Sequence, residues 1–126
     1  MAQFGTVFCD HLAIARFEDG SWGDAALEPL APLPMHPASH VFHYASTCFE
    51  GFKAYRWKDG KARIFRLPDH VERMRRSAAS MRLPVPDRDL LSQMVVDLVA
   101  SETEQIPMPP SSLYLRPTLI LSLIHI

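Results

Sequence analysis

Apolar and polar residues alternate along residues 49–57, a pattern typical of a half-buried strand. One face of this strand would carry Phe49, Lys53, Tyr55 and Trp57, and the other Glu50, Phe52, Ala54 and Arg56. The dipeptide Asp59-Gly60 follows and suits a tight turn that needs positive φ. Residues 62–66 are therefore expected to return antiparallel, which leaves residues 44–48 as a loop that faces a ligand.

The two ends of the chain also carry strand patterns. Residues 6–17 are rich in β-branched and aromatic side chains and end at a turn-forming segment, residues 18–21, so a second strand is expected near Trp22. Several prolines make residues 28–38 an extended connector, because proline lacks a donor and disfavours helix before it. A further strand is predicted at residues 112–121.

Two helices are predicted between these strands. Asp69 can cap a helix that reaches about Arg82 and whose apolar face would carry Val71, Met74, Ala78 and Met81. Asp87 can cap a second helix, whose continuous apolar stripe should lie on a sheet: Leu90, Leu91, Met94, Val95, Leu98 and Val99. The order of elements predicts an α+β two-layer domain, with two helices on one face of a mainly antiparallel sheet.

Composition narrows the possible partners. The chain has 126 residues, is 48% hydrophobic and carries 13 basic against 14 acidic side chains, so no net field attracts nucleic acid or an anionic membrane. Cys9 and Cys48 form no paired motif and fit a reducing compartment. Without a signal-peptide pattern or a long apolar run, a cytoplasmic location is expected, with neither nucleic acid nor membrane as partner.

Three histidines lie close together in the sequence, as in some metal sites. His36, His40 and His43 would share one face only on a helix, and Pro37 disfavours a continuous helix there. Neither cysteine nor acidic residues complete the set, so no metal site is predicted. The sequence also lacks a nucleophile elbow, a phosphate-binding Walker loop and a dinucleotide fingerprint, which leaves hydrolase and nucleotide-binding functions without support.

A resemblance to a known family rests on several motifs that occur in order. They are FCDH at residues 8–11, VFHY at 41–44, FEGFKAY at 49–55, FRLPDHVERM at 65–74 and LYLRP at 113–117. Together they resemble the branched-chain amino-acid aminotransferases, fold-type IV enzymes that use pyridoxal 5'-phosphate (PLP), from about residue 4 to about residue 120. The resemblance implies amino-group transfer between leucine, isoleucine or valine and 2-oxoglutarate, in an enzyme that is a homodimer when full length.

The resemblance also implies roles for individual residues. Arg73 matches the arginine that binds the PLP phosphate. Substrate-side positions are matched by Phe8, Tyr44, Phe49, Tyr114 and Arg116, with Arg116 able to meet the distal carboxylate of glutamate or 2-oxoglutarate. The residues alone leave alternatives open: helix periodicity does not separate Arg73 from other arginines on a solvated face, the aromatics can be ordinary core, and Arg116 can form an ion pair within the sheet.

The family's Schiff-base lysine has no counterpart among Lys53, Lys58 and Lys61, so no catalytic residue is assigned. Residues 1–120 are expected to form the family's small N-terminal domain, with the large catalytic domain absent, and residues 121–126 to be a non-native tail. The chain by itself is expected to be inactive. Two alternatives are a non-catalytic binding or dimerisation module, and another class IV PLP enzyme such as D-amino-acid aminotransferase or aminodeoxychorismate lyase.

Overall fold

A computed structural model describes residues 5–122 as short strands around two long helices, and every strand pairing in this range is antiparallel. The strands are β1 His11–Ile14, β2 Phe17–Glu18, β3 Ser21–Trp22, β4 Ala26–Pro29, β5 Thr47–Phe49, β6 Phe52–Arg56, β7 Ala62–Ile64, β8 Leu113–Leu115 and β9 Thr118–Ile120. The helices are α1 His40–His43, α2 Leu67–Ser80 and α3 Arg88–Glu102, and a 3-10 turn follows at Thr103–Gln105. The predicted α+β class is confirmed.

The central ladder is interrupted in both of its strands at the same level. β5 pairs with β9 and β6 pairs with β8, and one register runs through both pairs, from Phe49 opposite Thr118 to Phe52 opposite Leu115. Between them, the Glu50 N–H donates to the Pro117 carbonyl at 3.0 Å, while Pro117 has no N–H to return. The strand predicted at residues 112–121 is therefore two strands, β8 and β9, separated by a break. The strand predicted at residues 49–57 is β6 preceded by the last residue of β5, and the rest of β5 lies in the segment predicted to be a loop.

The hairpin after β6 follows the prediction. β6 and β7 pair with Arg56 opposite Ala62, Gly60 has φ of 82°, and the Lys61 N–H donates to Asp59 Oδ1. Positive φ at this turn is the conformation for which glycine has no steric cost. Phe52 and Ala54 are buried, which confirms the predicted assignment of these two residues to the same face of the strand.

α3 begins directly after Asp87, as predicted, whereas α2 covers its predicted segment with different ends. α2 begins at Leu67 after Arg66, which has φ of 56°, so the prediction that Asp69 caps the helix is wrong. Pro68 fits this earlier start because the first turn needs no N–H from it. Met81 lies past the end of α2 and is exposed, in contrast to the predicted apolar face, although Val71, Met74 and Ala78 are buried as expected.

The two long helices contact different parts of the interrupted ladder, and α3 also lies against β1. Val95 and Val99 of α3 pack against β6 and β8, which confirms the prediction that the α3 stripe lies on a sheet. Ala78 of α2 packs with Cys48 of β5, and the helices meet each other where Met74 contacts Leu91. Within the described residues the strands form four small sheets, whereas one continuous sheet was expected.

Two elements lie where neither a strand nor a helix was predicted. β4 overlaps the start of the predicted connector and pairs with β1, with Leu12 opposite Glu28. Pro29 is the last residue of β4, where the missing N–H donor costs least. α1 occupies the start of the aromatic-rich segment and is a single turn in which the Tyr44 N–H donates to the His40 carbonyl. The predicted strand at residues 6–17 begins only at His11 and is interrupted before Phe17.

The C-terminal segment joins the ladder as far as the structure describes it. The Leu121 N–H donates to the Ser46 carbonyl at 3.1 Å, and the Leu121 side chain packs against the cluster that contains Cys48. Most of the tail predicted to be non-native, residues 123–126, lies outside the described residues. Among the helices of residues 5–122, none combines the length and the apolar character that a membrane crossing needs.

The packing of α3 predicts different costs for two valines on the same helix. Val99 is 4% exposed and Val96 is 43% exposed. We expect Val99→Ala to lower the free energy of unfolding by about 2 kcal/mol, since it removes buried methyl groups and leaves a cavity. Val96→Ala is the matched control and should change it by about 0.5 kcal/mol or less in urea denaturation. Equal losses for both variants would contradict this position of the core.

Candidate functional site

A buried carboxylate occupies the break in the ladder. The Glu50 side chain is 3% exposed, and it accepts hydrogen bonds from Arg73 Nε at 2.6 Å and Arg73 Nη2 at 2.7 Å. His70 Nδ1 lies 3.2 Å from the same carboxylate. His70 and Arg73 are three residues apart on α2, so one face of the helix supplies both partners.

The contacts within this cluster favour the charged forms of Glu50 and Arg73. The hydrogen bond from Arg73 lowers the pKa of Glu50 below its ordinary value, and the hydrogen bond from His70 adds to this effect, while burial opposes it. The same hydrogen bond to Glu50 raises the pKa of Arg73. A buried carboxylate is stable only with such partners, and two parallel N–H donors from one guanidinium are the strongest arrangement available.

A second cluster surrounds Arg116 on the other side of the break. The Arg116 guanidinium lies over the Phe49 ring at 4.4 Å and over the Tyr114 ring at 5.2 Å. Its Nη2 donates to the Tyr114 hydroxyl at 2.8 Å. Cations over aromatic faces are attracted by the ring quadrupole, so the two rings hold the Arg116 guanidinium. Because the rings are neutral, they do not offset its positive charge as a carboxylate would. An ion pair was the alternative use of Arg116, and none is present among the described residues.

Gly51 makes the second cluster possible. A Cβ added at Gly51 would lie 2.0 Å from the Tyr114 hydroxyl oxygen and 2.9 Å from the ring carbon that carries it. Real Cβ atoms do not approach other atoms so closely, and therefore any other residue at this position would displace the Tyr114 ring. The glycine of the FEG motif is thus explained by a close approach of a side chain to the backbone.

A shallow groove of about 450 Å³ lies between β5 and α2. Its lining includes two residues predicted from the sequence, Phe49 and Arg73, together with Arg76, Ser77, Ser80, Met81, Thr47 and Cys48. Sequence reasoning did not select Arg76, Ser77 or Ser80. The sequence feature that could have identified them is their helical spacing. Arg76, Ser77 and Ser80 lie three, four and seven residues after Arg73, so they share its face of α2.

The other two predicted site residues, Phe8 and Tyr44, belong to other segments of the chain and are exposed. Phe8 is 68% exposed in the segment before β1, and Tyr44 is 71% exposed at the end of α1. Tyr44 lies beside the rings of His40 and His43, at centroid distances of 4.9 and 6.4 Å. The structure therefore groups Arg73, Phe49, Tyr114 and Arg116 around the break, whereas Phe8 and Tyr44 are exposed in other segments of the chain.

His36 and His43 contact nearby backbone groups, and the three lysines are exposed. His43 Nε2 lies 2.8 Å from the Pro37 carbonyl, and His36 Nδ1 accepts from the Ala38 N–H. Across residues 5–122 no three His, Cys, Asp or Glu side chains are arranged to hold a metal ion. Lys53, Lys58 and Lys61 are all exposed, and Lys53 is opposite Tyr114 in the ladder.

Comparisons with known proteins identify what this arrangement is similar to. The chain is 38% identical over 119 residues to branched-chain-amino-acid transaminase 1 of Bacillus subtilis, a match that covers 93% of this chain and 33% of the relative. It is 40% identical over 119 residues to the cytosolic branched-chain-amino-acid aminotransferase of Mus musculus, with 93% and 31% covered. The chain is related to the N-terminal third of the branched-chain-amino-acid aminotransferases. No protein-family model matches it.

Solved aminotransferase structures share the fold. A branched-chain amino acid aminotransferase from Escherichia coli matches with a TM-score of 0.67 and 24% identity, over 90% of this chain and 34% of that one. Another such enzyme, complexed with N-(5'-phosphopyridoxyl)-L-glutamate, matches with a TM-score of 0.68 and 24% identity, over 91% and 34%. These likenesses concern the fold alone. The chain spans about a third of the length of the branched-chain aminotransferases that it matches.

The close approach at Gly51 predicts a specific steric cost. We expect Gly51→Ala to lower the free energy of unfolding by about 1–3 kcal/mol, because Tyr114 must move away. Gly23→Ala is the control, since its Cβ would meet only the Arg16 carbonyl at 3.5 Å, and it should change stability by about 0.5 kcal/mol or less. In a Tyr114→Ala background the cost of Gly51→Ala should fall to that level. If the full cost persists there, Tyr114 is not its cause.

The lowered pKa of Glu50 predicts how stability depends on pH. Its folded pKa lies below the unfolded value of about 4.3, so the stabilisation is complete above that value and is lost as pH falls through the folded pKa. We expect the free energy of unfolding to fall less between about pH 6 and about pH 3 in Glu50→Gln than in the unchanged chain. Glu104→Gln, at an exposed position, controls for the loss of one carboxylate. Urea denaturation curves with the same pH slope for the Glu50 variant and the unchanged chain would contradict the assignment.

Proposed function

We propose that this chain is the N-terminal portion of a branched-chain amino-acid transaminase, with residues 1–120 as its small domain. The proposed whole enzyme transfers an amino group between leucine, isoleucine or valine and 2-oxoglutarate, with PLP as cofactor. The observation that carries the proposal is the Glu50–Arg73 pair at the edge of the groove that Phe49 also lines. It supplies an oriented cation at the position that the resemblance assigns to the cofactor phosphate.

The residues of the groove suit a phosphate group. Arg73 uses its Nε and Nη2 edge for Glu50, its side chain is 60% exposed, and its Nη1 edge keeps N–H donors for a ligand. Ser77 and Ser80 add hydroxyl donors in the same groove. One of the structural relatives is complexed with a phosphopyridoxyl compound, which supports the same cofactor class here. When bound, PLP supplies the carbonyl group and the electron sink for amino-group transfer.

The substrate side is proposed to lie around the second cluster. Phe49 and Tyr114 offer rigid aromatic faces that exclude water and fit branched apolar side chains. Phe8 and Tyr44, which are exposed in this chain, would be further walls in the whole enzyme. Arg116 keeps its charge between the two rings and can pair with the distal carboxylate of glutamate or 2-oxoglutarate. The same pocket would then accept an apolar and an acidic substrate in turn.

Several features of the whole enzyme belong to the same proposal. The Schiff-base lysine would come from a large domain, and the active enzyme would be a homodimer in the cytosol. The cytosolic assignment is supported by the name of the Mus musculus relative. In the small domain, α2 and α3 are proposed to form one layer over the strands.

A chimera tests the proposed function. Residues 1–120 would replace the matching third of the Bacillus subtilis relative, and leucine and 2-oxoglutarate would be the substrates. We expect transamination by the chimera, no activity from the 126-residue chain alone, and a PLP affinity at least about tenfold lower in the Arg73→Ala chimera, because a charge-assisted contact is lost. Arg63→Ala, on β7, is the matched control. A folded chimera that binds PLP without transaminating leucine would contradict the proposal, as would activity of the chain alone.

A further inference from the structure

The Glu50–Arg73 pair is asymmetric in its exposure. The Glu50 side chain is 3% exposed and the Arg73 side chain 60% exposed, so the pair is fixed at the carboxylate and open at the guanidinium. The guanidinium is planar, and holding one edge by two hydrogen bonds also sets the direction of the opposite edge. An exposed arginine without this anchor would sample many rotamers before it met a ligand.

Glu50 is itself held from several directions. Its backbone N–H donates to the Pro117 carbonyl at 3.0 Å, and its carboxylate lies 3.2 Å from His70 Nδ1. The His70 ring stacks on Phe52 with centroids 4.7 Å apart and an angle of 18° between the planes. His70 is 18% exposed, so the core fixes its ring, which in turn supports the carboxylate. The carboxylate therefore has a defined position before any ligand arrives.

We propose that Glu50, supported by His70, is a positioning residue that orients the free edge of Arg73 toward a phosphate group in the groove. This proposal rests on the assignment of Arg73 to phosphate under the proposed function. Glu50 does not touch the phosphate; it acts through Arg73. Its negative charge would by itself weaken the attraction of an anion, so any gain in phosphate affinity from Glu50 must come from orientation.

Three glutamate variants separate orientation from charge. Glu50→Gln removes the charge and one of the two acceptor oxygens. Glu50→Asp keeps the charge but withdraws the carboxylate by one methylene, which prevents the bidentate contact. Glu72→Gln is the matched control, because Glu72 of α2 pairs with Arg75 of the same helix and with Arg88 of α3, not with Arg73. Far-UV circular dichroism checks that each variant folds, and Glu50→Asp serves if Glu50→Gln does not.

The measurement is NMR of the Arg73 Nε–H group, assigned with Arg73→Lys, during titration with inorganic phosphate. In the unchanged chain we expect slow exchange of this proton with water and a shift on phosphate addition. Both Glu50 variants should exchange at least about tenfold faster and bind phosphate at least about fivefold more weakly, whereas Glu72→Gln stays within about twofold. A purely electrostatic role predicts tighter binding in Glu50→Gln and unchanged binding in Glu50→Asp.

The outcomes distinguish this proposal from the one on which it rests. If phosphate shifts the Arg73 signal equally in the unchanged chain and in the Glu50 variants, the positioning role is overturned and the phosphate assignment of Arg73 stands. If the Arg73 Nε–H is protected in the unchanged chain but phosphate never shifts it, the phosphate assignment fails, and the positioning role fails with it.

Discussion

A carboxylate buried at a break in the β-ladder is the constraint on which this structure depends. Glu50 cannot keep its charge away from water without donors, and Arg73 and His70 provide them from α2. The contact therefore ties the helix to the ladder at one defined point. This contact adds a polar fixed point to the apolar packing of α2 on β5, and it sets the direction of the Arg73 side chain.

The break itself creates room for chemistry. In an uninterrupted ladder, side chains alternate strictly and neighbouring strands cover each other's backbone. Here Pro117 cannot donate, and Gly51 carries no side chain, so Tyr114 lies against the backbone and Arg116 lies between two rings. The two arginines are stabilised in different ways, one by a carboxylate and one by aromatic faces. Glu50 therefore offsets the charge of Arg73 locally, whereas among the described residues no carboxylate pairs with Arg116.

Sequence periodicity predicted the elements that bury a regular apolar face. α2, α3 and the β6–β7 hairpin follow from spacing and from one Asp-Gly turn. It did not predict β4 or α1, because an edge strand that ends in proline and a single helical turn have too few residues for a period to emerge. The start of α2 was misplaced for a related reason, since a cap depends on local backbone geometry that several nearby residues could satisfy.

The sequence by itself determined the α+β class, the buried faces of the longer elements and, through ordered motifs, the family that the chain resembles. Which arginine on α2 is anchored was decided only by tertiary structure. Arg73 and its neighbours are equivalent in a helical pattern, and Glu50 lies 23 residues away in sequence. Only the packing of α2 against the interrupted ladder brings a buried carboxylate to one of them, because desolvation makes an unpaired charge there too costly to tolerate.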